Sequence, residues 1–71
     1  MFSKNLKYYR LRKQLKKKDL AELAEVTPTA ISYYESGKRN PDMETLKRLA
    51  KALDVRVSDF LASRSSDLKF R

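Results

Sequence analysis

A threonine–proline pair in the first half of the chain constrains its fold more than any other feature. The pair, Thr27-Pro28, sits inside the stretch Asp19–Glu35, DLAELAEVTPTAISYYE. A threonine here can accept a hydrogen bond from a free N–H in a helix's first turn. A proline fits the first helical position, where its missing N–H costs nothing. A helix therefore starts at Pro28. Before it, Leu20, Ala21 and Ala24 fall at i, i+1 and i+4, and Val26 closes the stripe. That spacing predicts a short amphipathic helix ending near Glu25. After it, Ile31 and Tyr34 are three apart, on the inner face of a helix running to about Ser36. So few residues join the two helices that they must cross steeply, as in a helix-turn-helix.

Composition then removes most alternatives. Seventy-one residues make one small domain. The chain has no cysteine and no histidine. A disulfide framework and a thiolate metal site are therefore excluded, and so is the commonest general base. With one glycine there is no Gly-rich phosphate loop either, so we expect neither an enzyme nor a cofactor. No apolar run approaches the roughly 20 residues of a membrane span. The N-terminus lacks the continuous apolar core of a signal peptide. A cytoplasmic location without membrane contact is the expectation. Tyr8 and Leu11 beside Leu6 and Tyr9 make too thin an apolar face for surface binding.

The net charge is +8, from 17 Lys+Arg against 9 Asp+Glu. Its placement is informative. Residues 1–18 carry Lys4, Lys7, Arg10, Arg12, Lys13, Lys16, Lys17 and Lys18 and no acid. Residues 19–37 carry Asp19, Glu22, Glu25 and Glu35 and no base, and Lys38-Arg39 restores the positive charge. A basic segment and a basic loop thus flank a nearly neutral helix pair. A polyanion is the natural partner, with a merely solvated basic surface as the alternative.

In chain order, Ser3 is the expected cap of a first helix running to about Lys13. Leu6, Tyr9 and Arg10 share one face of it. A charge on an apolar stripe needs a partner, and Glu35 is the natural one; the alternative is that Arg10 snorkels to solvent. Leu15 is expected to plug the core from a short turn. The second helix begins near Lys17 with Lys16, Lys17 and Lys18 at a terminus that prefers acids, and with no Ser, Thr, Asp or Asn cap before it. Asp19 and Glu22 offset part of that cost, and a phosphate on the free amides would offset the rest. Glu25 stands where glycine or asparagine is preferred, so the turn is either strained or avoids the left-handed conformation. Gly37 ends the third helix. Asp42 caps a fourth, in which Met43, Leu46, Leu49, Ala50 and Leu53 face inward and Lys47, Arg48 and Lys51 form a solvated face. Ser58-Asp59 caps a short fifth, from which Phe60 and Leu61 return to the core. The domain thus covers 1–62. Residues 63–71 read as a polar tail or linker, one that could lead to a further domain and could lay Leu68 and Phe70 against Tyr8 and Leu11.

The run LAELAEVTPTAISYYESGKRNPDMETLKRLAKALDVRVSDFL resembles the phage-repressor/Cro-type (XRE-like) helix-turn-helix family, over about residues 4–62. Leu20-Ala21, Val26 to Ile31, Glu35-x-Gly37-Lys38-Arg39-Asn40-Pro41 and Leu49-Ala50-x-Ala52-Leu53 carry the likeness. The resemblance implies an all-α, compact five-helix, lambda-repressor-like domain. It also implies an ion pair between Arg10 and Glu35. Two departures stand out: the family commonly has Ser or Thr followed by Gln where this chain has Lys16-Lys17, and a glycine where it has Glu25.

By that resemblance, the function is sequence-specific binding of double-stranded DNA by a transcriptional regulator, most simply a repressor. The helix from Pro28 to Ser36 would lie in the major groove. Thr27, Pro28, Thr29, Ser32 and Tyr33 would reach bases. None is Arg, Asn or Gln, the strongest bidentate readers, so each contact would contribute about 1 kcal/mol. DNA shape would supplement them. Lys16, Lys17 and Lys18 at one groove edge, and Ser36, Lys38, Arg39 and Asn40 at the other, would hold phosphates. A homodimer on a near-palindromic operator is implied, with half-sites about 34 Å apart. The fourth-to-fifth-helix region is the expected dimer surface. The competing expectation is the DNA-binding module of an antitoxin or of a larger repressor, acting mainly through protein interaction.

Overall fold

The computed structural model describes residues 2–61, and these form five helices: α1 (Phe2–Arg12), α2 (Lys17–Ala24), α3 (Pro28–Ser36), α4 (Met43–Leu53) and α5 (Val57–Leu61). The tail from 63 onward, with Leu68 and Phe70, lies outside the described residues. Among the described residues there is no strand. None of the five helices is long and apolar enough to cross a membrane.

The starts of α2, α3 and α4 are set by local chemistry. The Thr27 Oγ1 accepts a hydrogen bond from the Ala30 amide at 3.1 Å, with Pro28 at the first helical position. Asp42 Oδ1 accepts from the Thr45 amide at 2.9 Å. The start of α2, where no Ser, Thr, Asp or Asn precedes the helix, is capped from within. Asp19 reaches back, and its Oδ2 accepts from the Lys16 amide at 3.1 Å. This is half of a capping box, so Asp19 caps the terminus as well as offsetting its lysines. Asp59 does the same for α5, accepting from the Arg56 amide at 2.9 Å. Ser58 then lies inside that helix rather than at its cap. Ser3 also lies inside a helix, because α1 has already begun at Phe2.

The ends of α1 to α4 share one closure. Gln14, Glu25, Gly37 and Asp54 all have left-handed backbones, with φ of 59°, 61°, 83° and 59°. The residue after each donates its amide across six residues: Leu15 to Arg10 O (3.1 Å), Val26 to Ala21 O (2.9 Å), Lys38 to Tyr33 O (3.0 Å) and Val55 to Ala50 O (2.9 Å). The left-handed residues themselves donate to Leu11, Glu22, Tyr34 and Lys51 carbonyls. These are four Schellman closures. Glycine occupies one of the four positions. Each of the other three holds an L-residue in a conformation that costs it about 1 kcal/mol. The question left open at Glu25 is thereby answered: the turn is left-handed.

The core gathers where the helices meet. α1 packs on α3 and α5, α2 on α3 and α4, and α4 on α5. Leu6, Leu20, Ala24, Ile31, Leu49 and Phe60 are fully buried. Phe60 meets Phe2 and Tyr9 edge-on, with ring centroids 5.4 and 6.2 Å away. Asn5, also buried, donates its Nδ2 to the Phe60 carbonyl at 2.6 Å and so ties α1 to the end of α5.

Two expected core residues point elsewhere. Met43 is 59% exposed. Burial on α4 starts at Thr45 and Leu46, so the first residue of the helix lies beyond its packed face. Leu61 is 60% exposed. Its neighbour Phe60 fills the core, and the next helical residue is rotated about a quarter-turn away.

Candidate functional site

The outward side of α3 and its two flanks form the candidate site. α3 is held from behind by an ion pair. Arg10 Nε lies 2.7 Å from Glu35 Oε2, and Nη2 lies 3.2 Å from Oε1. The third guanidinium nitrogen, Nη1, donates to the Leu15 carbonyl at 2.8 Å. The side chains are 9% and 5% exposed. One fork thus joins α1, the Leu15 turn and the last turn of α3. Breaking such a buried pair from one side costs about 3–5 kcal/mol, because the other charge stays buried and unpaired.

A second arginine fixes α2. Arg48, expected on a solvated face, instead donates Nε to the Ala24 carbonyl at 2.9 Å. It also bonds Glu44 Oε2 through Nη1 at 3.1 Å and Thr45 Oγ1 through Nη2 at 3.4 Å. It therefore places a positive charge on the C-terminal end of α2, where the helix dipole favours one. It also clamps α2 to α4 beside the Glu25 turn. The i, i+4 pairing with Glu44 was readable in the sequence. The contact with Ala24 was not, because it depends on how α2 and α4 meet.

The face between these clamps is open. Thr27, Pro28, Thr29 and Tyr33 are exposed, and Ser32 is half-buried. Thr29, Ser32, Tyr33 and Ser36 share one side of α3 by helical spacing. On one flank Lys16, Lys17 and Lys18 are exposed; on the other, Ser36, Lys38, Arg39 and Asn40 are. Two of the flanking cations reach the face itself. Lys17 Nζ lies 3.2 Å from Ser32 Oγ. The Arg39 guanidinium carbon is 5.9 Å from the centre of the Tyr33 ring, a cation–π distance. Ser36 turns its hydroxyl inward, donating to the Tyr33 carbonyl at 3.2 Å. The result is a hydroxyl-lined helix face whose own residues carry no charge, with Lys17 and Arg39 reaching onto it from its two flanks. No cluster of acids that could hold a metal occurs among the described residues.

A family model described as Helix-turn-helix matches residues 6–60. The chain belongs to the helix-turn-helix family. Among its relatives, the HTH-type transcriptional regulator YqaE of Bacillus subtilis is 37% identical over 71 residues, covering 100% of this chain and 61% of that one. The HTH-type transcriptional activator BcrR of Enterococcus faecalis is 41% identical over 61 residues, covering 86% of this chain and 30% of the relative. This chain thus spans less than two thirds of either curated relative. Among solved structures, SinR of Bacillus subtilis, the master regulator for biofilm formation, has been determined in complex with DNA. It is 32% identical, with a TM-score of 0.82, covering 87% of this chain and 100% of that one. The resemblance to the repressor/Cro-type helix-turn-helix proteins and the five-helix, all-α expectation are both borne out.

Proposed function

We propose that this helix-turn-helix domain binds double-stranded DNA sequence-specifically and serves a transcriptional regulator, acting as a repressor. The observation that carries the reading is the face of α3. Its outward residues are uncharged and, Ser32 aside, exposed, and the cations Lys17 and Arg39 reach it from its two flanks. Such a surface offers side chains to bases while its rims neutralise phosphates. The relatives named above are transcription regulators, and SinR has been solved on DNA.

In this reading α3 enters the major groove with its N-terminus leading. Thr27, Pro28, Thr29, Ser32 and Tyr33 meet bases. Lys16–Lys18 contact phosphates at one edge of the groove. Ser36, Lys38, Arg39 and Asn40 do so at the other. The half-capped N-terminus of α2 adds free amides for a phosphate oxygen. The domain works as a homodimer on a near-palindromic site, in the cytoplasm, with no catalytic step of its own. Residues 1–62 are the binding unit.

Fluorescence anisotropy with labelled duplexes tests this. Neutralising about five phosphates per domain predicts a log–log salt slope of about −4 to −5. A duplex selected from a random pool should bind more tightly than the unselected pool. Absence of salt-dependent binding at low ionic strength would sink the proposal.

A further inference from the structure

The recognition helix lacks every strong base reader, yet the structure places a cation on its outward face. We infer that Lys17, on α2, reads a guanine together with Ser32, on α3; the inference rests on the DNA-binding reading above. Lys17 Nζ donates to Ser32 Oγ across 3.2 Å, between residues fifteen positions apart. The ammonium therefore lies against α3.

The chemistry of the pair selects one base. Ser32 Oγ accepts one of the three ammonium protons, so its own hydroxyl hydrogen is left to donate. Two ammonium hydrogens also remain. The pair presents donors side by side, and its one remaining acceptor is the second lone pair of the Ser32 hydroxyl. In the major groove only guanine shows two adjacent acceptors, N7 and O6. Adenine sets an N6 donor beside its N7, which would face a second donor. Thymine offers O4 beside a methyl group, and cytosine offers a donor. Guanine alone takes a donor from each of the two side chains; adenine would require the Ser32 hydroxyl to turn and accept from N6, so guanine is preferred.

The pair is also preformed. Holding the flexible lysine stem against Ser32 before binding reduces the ordering that recognition requires. Lys17 thus does more than neutralise a phosphate: it supplies the specificity that the residues of α3 lack on their own.

The test begins with selection from a random duplex pool using the wild-type domain. Each G·C pair of the selected half-site is then replaced by A·T in turn, and binding is compared by anisotropy. At least one replacement should weaken wild-type binding about tenfold or more. For that pair, Lys17→Met and Ser32→Ala should each bring the ratio between the two duplexes close to one. Lys17→Arg should preserve it. Lys38→Met should weaken both duplexes alike and leave the ratio intact. Thermal melts of the variants should stay near wild type, since Lys17 is exposed and Ser32 only half-buried. If Lys17→Met weakens both duplexes equally, Lys17 is a phosphate contact only and the assignment is overturned. A selected half-site without guanine overturns it too, while DNA binding stands. If the wild type shows no salt-dependent binding to any duplex, the DNA-binding reading itself fails, and this assignment with it.

Discussion

Two arginines hold the helix pair, and they do it in opposite surroundings. Arg10 is buried, and its fork grips a buried carboxylate and a carbonyl. Arg48 keeps a third of its side chain exposed, and its strongest geometric contact is a backbone carbonyl, Ala24 O. The first joint fixes the C-terminal end of α3 to α1. The second fixes the C-terminal end of α2 to α4. The contrast predicts that the charge each joint leaves stranded, more than its number of hydrogen bonds, decides what its loss costs. A stranded buried charge costs far more than a stranded neutral carbonyl, even one on a buried residue such as Ala24.

Breaking the buried joint should have the largest effect. Arg10→Met should cost about 3–5 kcal/mol, which is most of the stability of so small a domain. Chemical denaturation should show it, and Glu35→Leu added to the same chain should recover much of the loss. A double mutant no better than the single would mean that Glu35 is solvated once Arg10 is gone. Arg48→Met should cost less, about 1 kcal/mol, seen as a fall in melting temperature of several degrees. A loss equal to that of Arg10→Met would erase the contrast between the two joints.

The closure beside Arg48 gives a change of opposite sign. Glu25 holds φ 61° in a Schellman turn, so Glu25→Gly should stabilise the domain by about 0.5–1 kcal/mol. Differential scanning calorimetry would register this as a higher melting temperature; a lower one would mean that the glutamate side chain supports the turn. The smallest effect is at Asp42. Thr45, through its side chain and then its amide, holds the Asp42 carboxyl below the usual aspartate value. The stabilisation this gives is complete above the ordinary aspartate range and fades as pH falls through the lowered value. Asp42→Asn should keep the cap and flatten that acid limb in a pH series of thermal melts.

The features legible in the sequence are those set by a residue's own stereochemistry. Thr27, Pro28, Gly37 and Asp42 give the bounds of α3 and the start of α4, because a cap, a missing N–H or a left-handed glycine acts within one turn. Arg10 announced a partner because a charge on an apolar stripe is an anomaly that only a second charge resolves. The exposure of Thr27, Pro28, Thr29 and Tyr33 followed from the helical period. What stayed hidden depends on distance in space. Asn5 finds the Phe60 carbonyl, and Arg48 finds Ala24, only after the helices have packed. The left-handed Gln14 and Asp54 were hidden for a different reason. Neither is glycine, and the surrounding closure imposes a conformation that local preference would not choose. The capping by Asp19 was missed because its cap works backwards, from the third residue of the helix to the one before it.

The four closures have a consequence for change over time. Each is made from backbone amides and carbonyls, so none relies on the identity of an outward side chain. The scaffold behaves like a rack into which different heads can be fitted. Thr29 and Tyr33 are exposed on α3, and their side chains take part in neither its cap nor its closure, so exchange there leaves those backbone bonds in place. A lineage built on such a rack can vary that face in small steps while the closures that hold it remain.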